Sequence, residues 1–235
     1  MYNQKQFVRL MSQEYDSVVS IGSWCCVAQQ LRGRDLRKLS YPFDWIFGNL
    51  EIVRASVKEP FTVLNEFRDK LNTDFECEPY RVVSFPHHTL ENEKDVARLE
   101  SACIHWQTLL ASRQRVLLVH TPRPHQSIDS VVEKITLLLQ EIRGQNDKLD
   151  VSALVLFHQP WDSTSSVDGV DKKRKPAVTL GGDETPRNFI ERHLRTDDIE
   201  VIVAHVSHEW ESANWDGRDH GALWEEVFEN IKLKK

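Results

Sequence analysis

The sequence predicts an α/β domain with a mostly parallel sheet and helices on both faces, a three-layer arrangement. Three observations carry this. The runs Arg115 to His120, Val151 to Phe157 and Ile199 to Ala204 are apolar and of strand length. Between the first two, Ile128, Val131, Val132, Ile135, Leu138, Leu139 and Ile142 recur at helical spacing, so an amphipathic helix links one strand to the next. Near the N-terminus, Ser17 to Ser20 lead through Gly22 into Cys25, after which Val27 to Arg32 reads as a helix. A strand–Gly–x–x–Cys–helix unit sets one thiol at a helix N-terminus.

The remaining elements follow in order. Arg37 to Ile46 is a Pro-containing turn rich in aromatics. Helices are expected over Glu51–Lys58 and Pro60–Leu71, the second with Pro at its first position, where the missing N–H is harmless. Arg81–Phe85 reads as a short strand ending at Pro86-His87-His88, and Glu91–Ser112 as a helix with Val96, Leu99, Cys103, Trp106 and Leu110 inward. The helix Ser127–Arg143 is expected to stop at Gly144. After the strand Val151–Phe157, a polar loop occupies about 162–186. A short helix over Asn188–Leu194 then precedes the strand from Ile199, and Gly221–Leu233 forms the last helix. Residues 1–235 read as a single domain without internal repeats.

Bulk properties exclude several classes. Hydrophobic content of 40% and charged content of 28% are those of an ordinary globular protein. A net charge of −6 argues against nucleic acid or an anionic membrane as partner. The basic run Lys172–Lys175 lies in the polar loop and reads as a solvated cluster. No leader segment and no apolar window of about 18 residues is present, so a cytoplasmic protein without membrane insertion is expected. Cys25, Cys26, Cys77 and Cys103 form no CxxC pair, and neither a structural zinc nor a disulfide framework is expected. His205 and His208, three residues apart, have no accompanying carboxylate motif, and no GxGxxG or P-loop occurs; no metal and no cofactor is expected.

Function is expected where parallel strands end, since ligands bind outside their carboxyl ends. Each predicted strand ends in something reactive: Gly22-Ser23-Trp24-Cys25, His120-Thr121, His158-Gln159 and His205 to His208. A helix N-terminus favours a thiolate, and its free N–H groups can hold an oxyanion. Histidine can serve as base and acid near neutral pH. The residues alone leave His87, His88, His120, His158, His205 and His208 open as that partner.

Ser20 to Ala28, with Leu36-Arg37 and Ser40-Tyr41-Pro42-Phe43-Asp44-Trp45, resembles a bacterial family, domain of unknown function 1796, catalogued as papain-like cysteine peptidases. The pattern is S-L-G-x-x-C-x-x-A followed by L-R-x-x-S-x-P-x-D-W. Weaker likeness continues at Phe85 to His88, Val116 to Val119, and Trp215 with Gly217 and Trp224. The resemblance implies Cys25 as nucleophile, His87 as base and Asp44 as the acidic residue. Cys26 is outside the pattern, and His120 stands where arginine is more usual. Because the cysteine helix follows a strand, the layout is closer to SGNH-type esterases or a Rossmann-like fold than to papain. The expected activity is a cysteine-dependent hydrolase or acyl/glycan transferase on a small-molecule, peptide or glycan substrate. Ser23, Trp45, His88, His120, His158 and His208 are candidates for holding that substrate. The rival reading is a non-catalytic or carbohydrate-binding module serving surface-polysaccharide assembly.

Overall fold

The computed structural model describes residues 13–22, 25–46, 48–70, 85, 88–89, 91–122, 126–158, 189–195, 200–206, 228 and 231–234. Along the chain come β1 (Glu14–Tyr15), β2 (Ser17–Ser20), α1 (Cys26–Gly33), α2 (Leu50–Lys58), α3 (Thr62–Lys70), α4 (Glu93–Leu110) and β3 (Arg115–His120). They are followed by α5 (Ile128–Gln145), β4 (Asp150–His158), β5 (Phe189–Arg195), β6 (Glu200–Val206) and β7 (Lys232–Leu233). The five-stranded sheet has the order β2-β3-β4-β6-β5. Its first four strands are parallel and β5 runs antiparallel beside β6. The fold is therefore α/β with a mostly parallel sheet.

Side chains alternate across the strands and select which helix each face buries. Val19, Val116, Leu118, Ala153, Val155 and Val201 pack with Val53 of α2, Val63 of α3, Trp106 of α4 and Ile135 of α5. Val18, Leu117, Val119, Leu154 and Ile202 face the other way, onto Val27 and Leu31 of α1. Helices thus cover both faces. Polar caps start the helices as their sequences require: Asn49 accepts from the Ile52 N–H at 3.0 Å and Asn92 from the Lys94 N–H at 3.1 Å.

Four local expectations are corrected. The segment Phe189–Arg195 is a strand and not a helix. Its Glu, Arg and Leu suit a helix, but pairing along β6 satisfies its backbone, and His193 Nε2 meets Glu200 Oε1 at 3.0 Å across the pair. Lys232–Leu233 does not continue a helix but pairs in parallel with β1, the Lys234 N–H donating to the Tyr15 carbonyl at 2.8 Å. Helix α5 runs through Gly144, whose surroundings are open, and is closed by Asn146. Helix α3 starts at Thr62, whose hydroxyl bonds the Glu59 carbonyl, leaving Pro60 in the preceding turn. The expected polar loop at 162–186 and most of the Arg81–Phe85 strand lie outside the described residues. Among the described residues no helix is long and apolar enough to cross a membrane.

Candidate functional site

Four parallel strands bring their carboxyl ends to one edge of the sheet. Ser20 of β2 stands opposite Val119 of β3, His120 opposite Val155 of β4, and His158 opposite Val206 of β6. Gly22 and Cys25 follow the end of β2, so the cysteine and the backbones of His120 and His158 belong to this edge. The side chain of His158, together with Ser23, His87 and His208, lies outside the described residues.

Cys25 is the residue preceding α1, with helical backbone angles (φ −67°, ψ −13°), and its carbonyl accepts from the Gln29 N–H at 3.0 Å. Its side chain is buried, the residue being 6% exposed, and Gln29 Nε2 lies 4.0 Å from Sγ. Burial pushes the thiol above its ordinary range, offset in part by its own backbone N–H. This desolvation opposes the thiolate that a helix N-terminus favours. Cys103 of α4 is also pushed up by burial, to about 11. Both are free thiols.

The rim beside Cys25 holds buried polar atoms without partners among the described residues: Ser20 Oγ, Thr121 Oγ1 and His120 Nε2. Alternation puts Ser20 on the α1 side, in line with Val18, and Thr121 on the same side, in line with Leu117 and Val119. His120 points to the opposite face, its Nδ1 3.1 Å from the Ile21 carbonyl. Burial lowers its pKa to about 4, so the ring is neutral. A neutral ring facing a carbonyl carries its proton on Nδ1, which leaves Nε2 as an acceptor. Ser20 was not singled out by sequence reasoning, although it is the polar residue that closes β2.

Asp44 is held within the 37–45 turn. It is 1% exposed, and one carboxylate oxygen receives Arg37 Nε at 2.8 Å and the Tyr41 N–H at 2.9 Å. The other, Oδ1, has no partner among the described residues. Burial pushes the carboxyl up to about 7 against the pull of Arg37 and of the Tyr41 N–H. No hydrogen bond or ion pair joins Asp44 to Cys25 or to a histidine among the described residues. The turn is buried, as its aromatics demand, against α4, with Phe43 and Tyr41 edge-on to Trp106 at 5.2 and 6.4 Å. Lys38 Nζ reaches the Asp16 carbonyl at 3.2 Å, which ties the opening of the turn to the start of β2.

Trp45 and His88 meet at a cleft of about 830 Å³ between this turn and α4. Cys25 and His120 are not part of it. The structure thus divides the predicted site residues between the carboxyl edge of the sheet (Cys25, His120, the backbone of His158) and this cleft (Trp45, His88).

Residues 16–78 match the family model described as "Putative papain-like cysteine peptidase (DUF1796)". The matched stretch contains β2, Cys25, α1, Arg37 and Asp44, and ends before His87. No curated protein and no solved structure gives a significant match to the chain.

Proposed function

We propose that the chain is a cysteine-dependent hydrolase or acyl/glycan transferase in which Cys25 is the nucleophile. The observation that carries this reading is the position of Cys25: it follows β2 at the carboxyl edge of parallel strands and heads α1, inside the stretch similar to a cysteine peptidase family. A histidine base, His87, takes the proton of the neutral thiol as Sγ attacks the carbonyl carbon of an ester, thioester or amide. The N–H groups opening α1 hold the oxyanion. The tetrahedral intermediate collapses to a thioester, and the histidine passes its proton to the leaving group. Water, or an acceptor hydroxyl in transfer, then releases the acyl group. Because burial pushes the thiol up, the base is needed for attack rather than merely helpful.

Ser20 and Thr121, without partners among the described residues on the α1 side, supply hydroxyls for substrate, and His120 supplies an acceptor at Nε2 from the opposite face. Asp44 acts as a structural clamp on Arg37. A parallel sheet with the nucleophile after its edge strand supports an SGNH-like layout within one α/β domain. Free thiols suit a reducing compartment such as the cytoplasm. One observation favours the rival reading of a non-catalytic, carbohydrate-binding module: Cys25 is nearly inaccessible, as a packing cysteine would be.

Incubation with p-nitrophenyl acetate, a short-chain thioester and a peptide ester, followed by mass spectrometry, separates the two. The proposal expects an acyl adduct on Cys25 that hydroxylamine removes, abolished in Cys25→Ala and slowed in its release by His87→Ala. Turnover identical in wild type and Cys25→Ala, or no adduct with any ester, would count against it.

A further inference from the structure

The cleft between the 37–45 turn and α4 has a charge opposite to that of the chain. The sequence has 30 Lys and Arg against 36 Asp and Glu. Yet the cleft is lined by Arg32, Arg37, Lys38 and Arg98, with His88 and His105, and by no Asp or Glu among the described residues. Arg37 is matched by the buried Asp44, and Arg98 faces Asp95 only at 3.5 Å. Lys38 Nζ is held by two uncharged acceptors, the carbonyls of Asp16 and Lys234, each at 3.2 Å. The Asp16 carboxylate nearby is bound to Lys234 Nζ at 3.1 Å. Arg32 enters no ion pair among the described residues. Because Asp16 is also drawn on by Lys38, the four cations exceed the carboxylates that face them by at least one.

The walls are preorganised. The Arg37 guanidinium lies 5.3 Å over the Trp45 ring and also donates to Ser40 Oγ. His105 Nδ1 is 3.0 Å from the Ser40 carbonyl, which fixes that ring between α4 and the turn. The volume is that of a small-molecule site. Arginine forks around a concave pocket match the oxygens of a phosphate, and the surplus of positive charge favours an anion.

We infer that this cleft binds a small phosphorylated compound, a phosphate monoester or diphosphate, at a site separate from Cys25. Arg32 stands in the last turn of α1 and Cys25 precedes its first, and the eight residues of that helix span about 12 Å. Cys25 is not among the residues that line the cleft.

Isothermal titration of the full chain at fixed ionic strength tests this, with pyrophosphate and glucose 1-phosphate as probes and glucose and sulfate as controls. One phosphate ligand per chain is expected, with glucose silent and sulfate at least about tenfold weaker. Arg32→Gln and Arg98→Gln alter exposed side chains and leave the fold intact. Each is expected to weaken pyrophosphate about fivefold to tenfold, and the double variant more. Cys25→Ala is expected to bind as wild type does. The inference is overturned if neither phosphate probe binds at millimolar concentration, if sulfate binds equally well, or if the arginine variants bind unchanged. Loss of phosphate binding in Cys25→Ala would also overturn it, by placing the ligand at the other site.

Discussion

Two buried groups at different places in the fold titrate in opposite senses, and removing either one exposes the other. Asp44 moves from 3.8 in the unfolded chain to about 7, chiefly by burial, and His120 from 6.5 to about 4 for the same reason. Between about pH 4.5 and 6.5 the folded Asp44 keeps a proton that the unfolded chain releases, so its share of stability falls as pH rises. The folded His120 lacks a proton that the unfolded chain binds, so its share falls as pH drops. Each proton difference is worth about 1.4 kcal/mol per pH unit, and the two contributions each change by about 2 kcal/mol across this window. In the native protein they oppose each other. His120→Asn places an amide nitrogen where Nδ1 stood, preserving donation to the Ile21 carbonyl while removing the titration. Relative to wild type, this variant is expected to lose about 2 kcal/mol between pH 4.5 and 6.5 as pH rises. Asp44→Asn is expected to gain a similar amount over the same range. Urea unfolding followed by circular dichroism at pH 4.5, 5.5 and 6.5 reads the slopes, and the other titrating groups drop out of the differences. Parallel pH profiles for wild type and both variants would refute the reasoning, as would two slopes of the same sign.

Arg37→Met removes the guanidinium from a pair whose side chains are 9% and 1% exposed, so water screens it little; a loss of about 3–5 kcal/mol is expected at pH 8. At pH 5, where Asp44 is protonated, the loss is expected to be smaller, and an equal loss at both pH values in urea melts would contradict this. Trp106→Phe deletes the indole N–H that donates to the Ser56 carbonyl at 2.9 Å and weakens the contacts to Tyr41 and Phe43. A destabilisation of about 1–3 kcal/mol with reduced near-ultraviolet dichroism is expected, and an unchanged melting temperature would remove Trp106 as the link between α2, α4 and the turn.

The sheet was legible where one face pattern admitted one answer. Arg115–His120 and Asp150–His158 are apolar on both faces because helices cover both, and such runs announce buried parallel strands. Helix α5 was equally plain, since six inward residues from Val131 to Ile142 recur at its period. Phe189–Arg195 was misread because its residues suit either state and the deciding contact is the neighbouring strand β6. The two-residue pairing of β1 with β7 joins segments more than two hundred residues apart and leaves no local trace. At the site, the position of Cys25 followed from strand, glycine and helix, but its burial did not, because that depends on what packs over the loop. The aromatics of the 41–46 turn predicted burial without naming Trp106 as the surface they meet. The basic cleft was hidden because its cations come from α1, the turn and α4, none of which is notably basic alone.

The role of Cys25 is tested most directly by its alkylation rate with iodoacetamide from pH 5 to 10, resolved by peptide mapping, with Cys103 as the buried reference in the same molecule. If a histidine base draws the proton from a neutral thiol, Cys25 is expected to label well ahead of Cys103 at pH 7. Its rate should rise through about 6.5, where histidine loses its own proton, and His87→Ala should flatten that rise. A Cys25 that stays as inert as Cys103 until the pH is strongly alkaline would make it a packing cysteine and contradict the proposed chemistry.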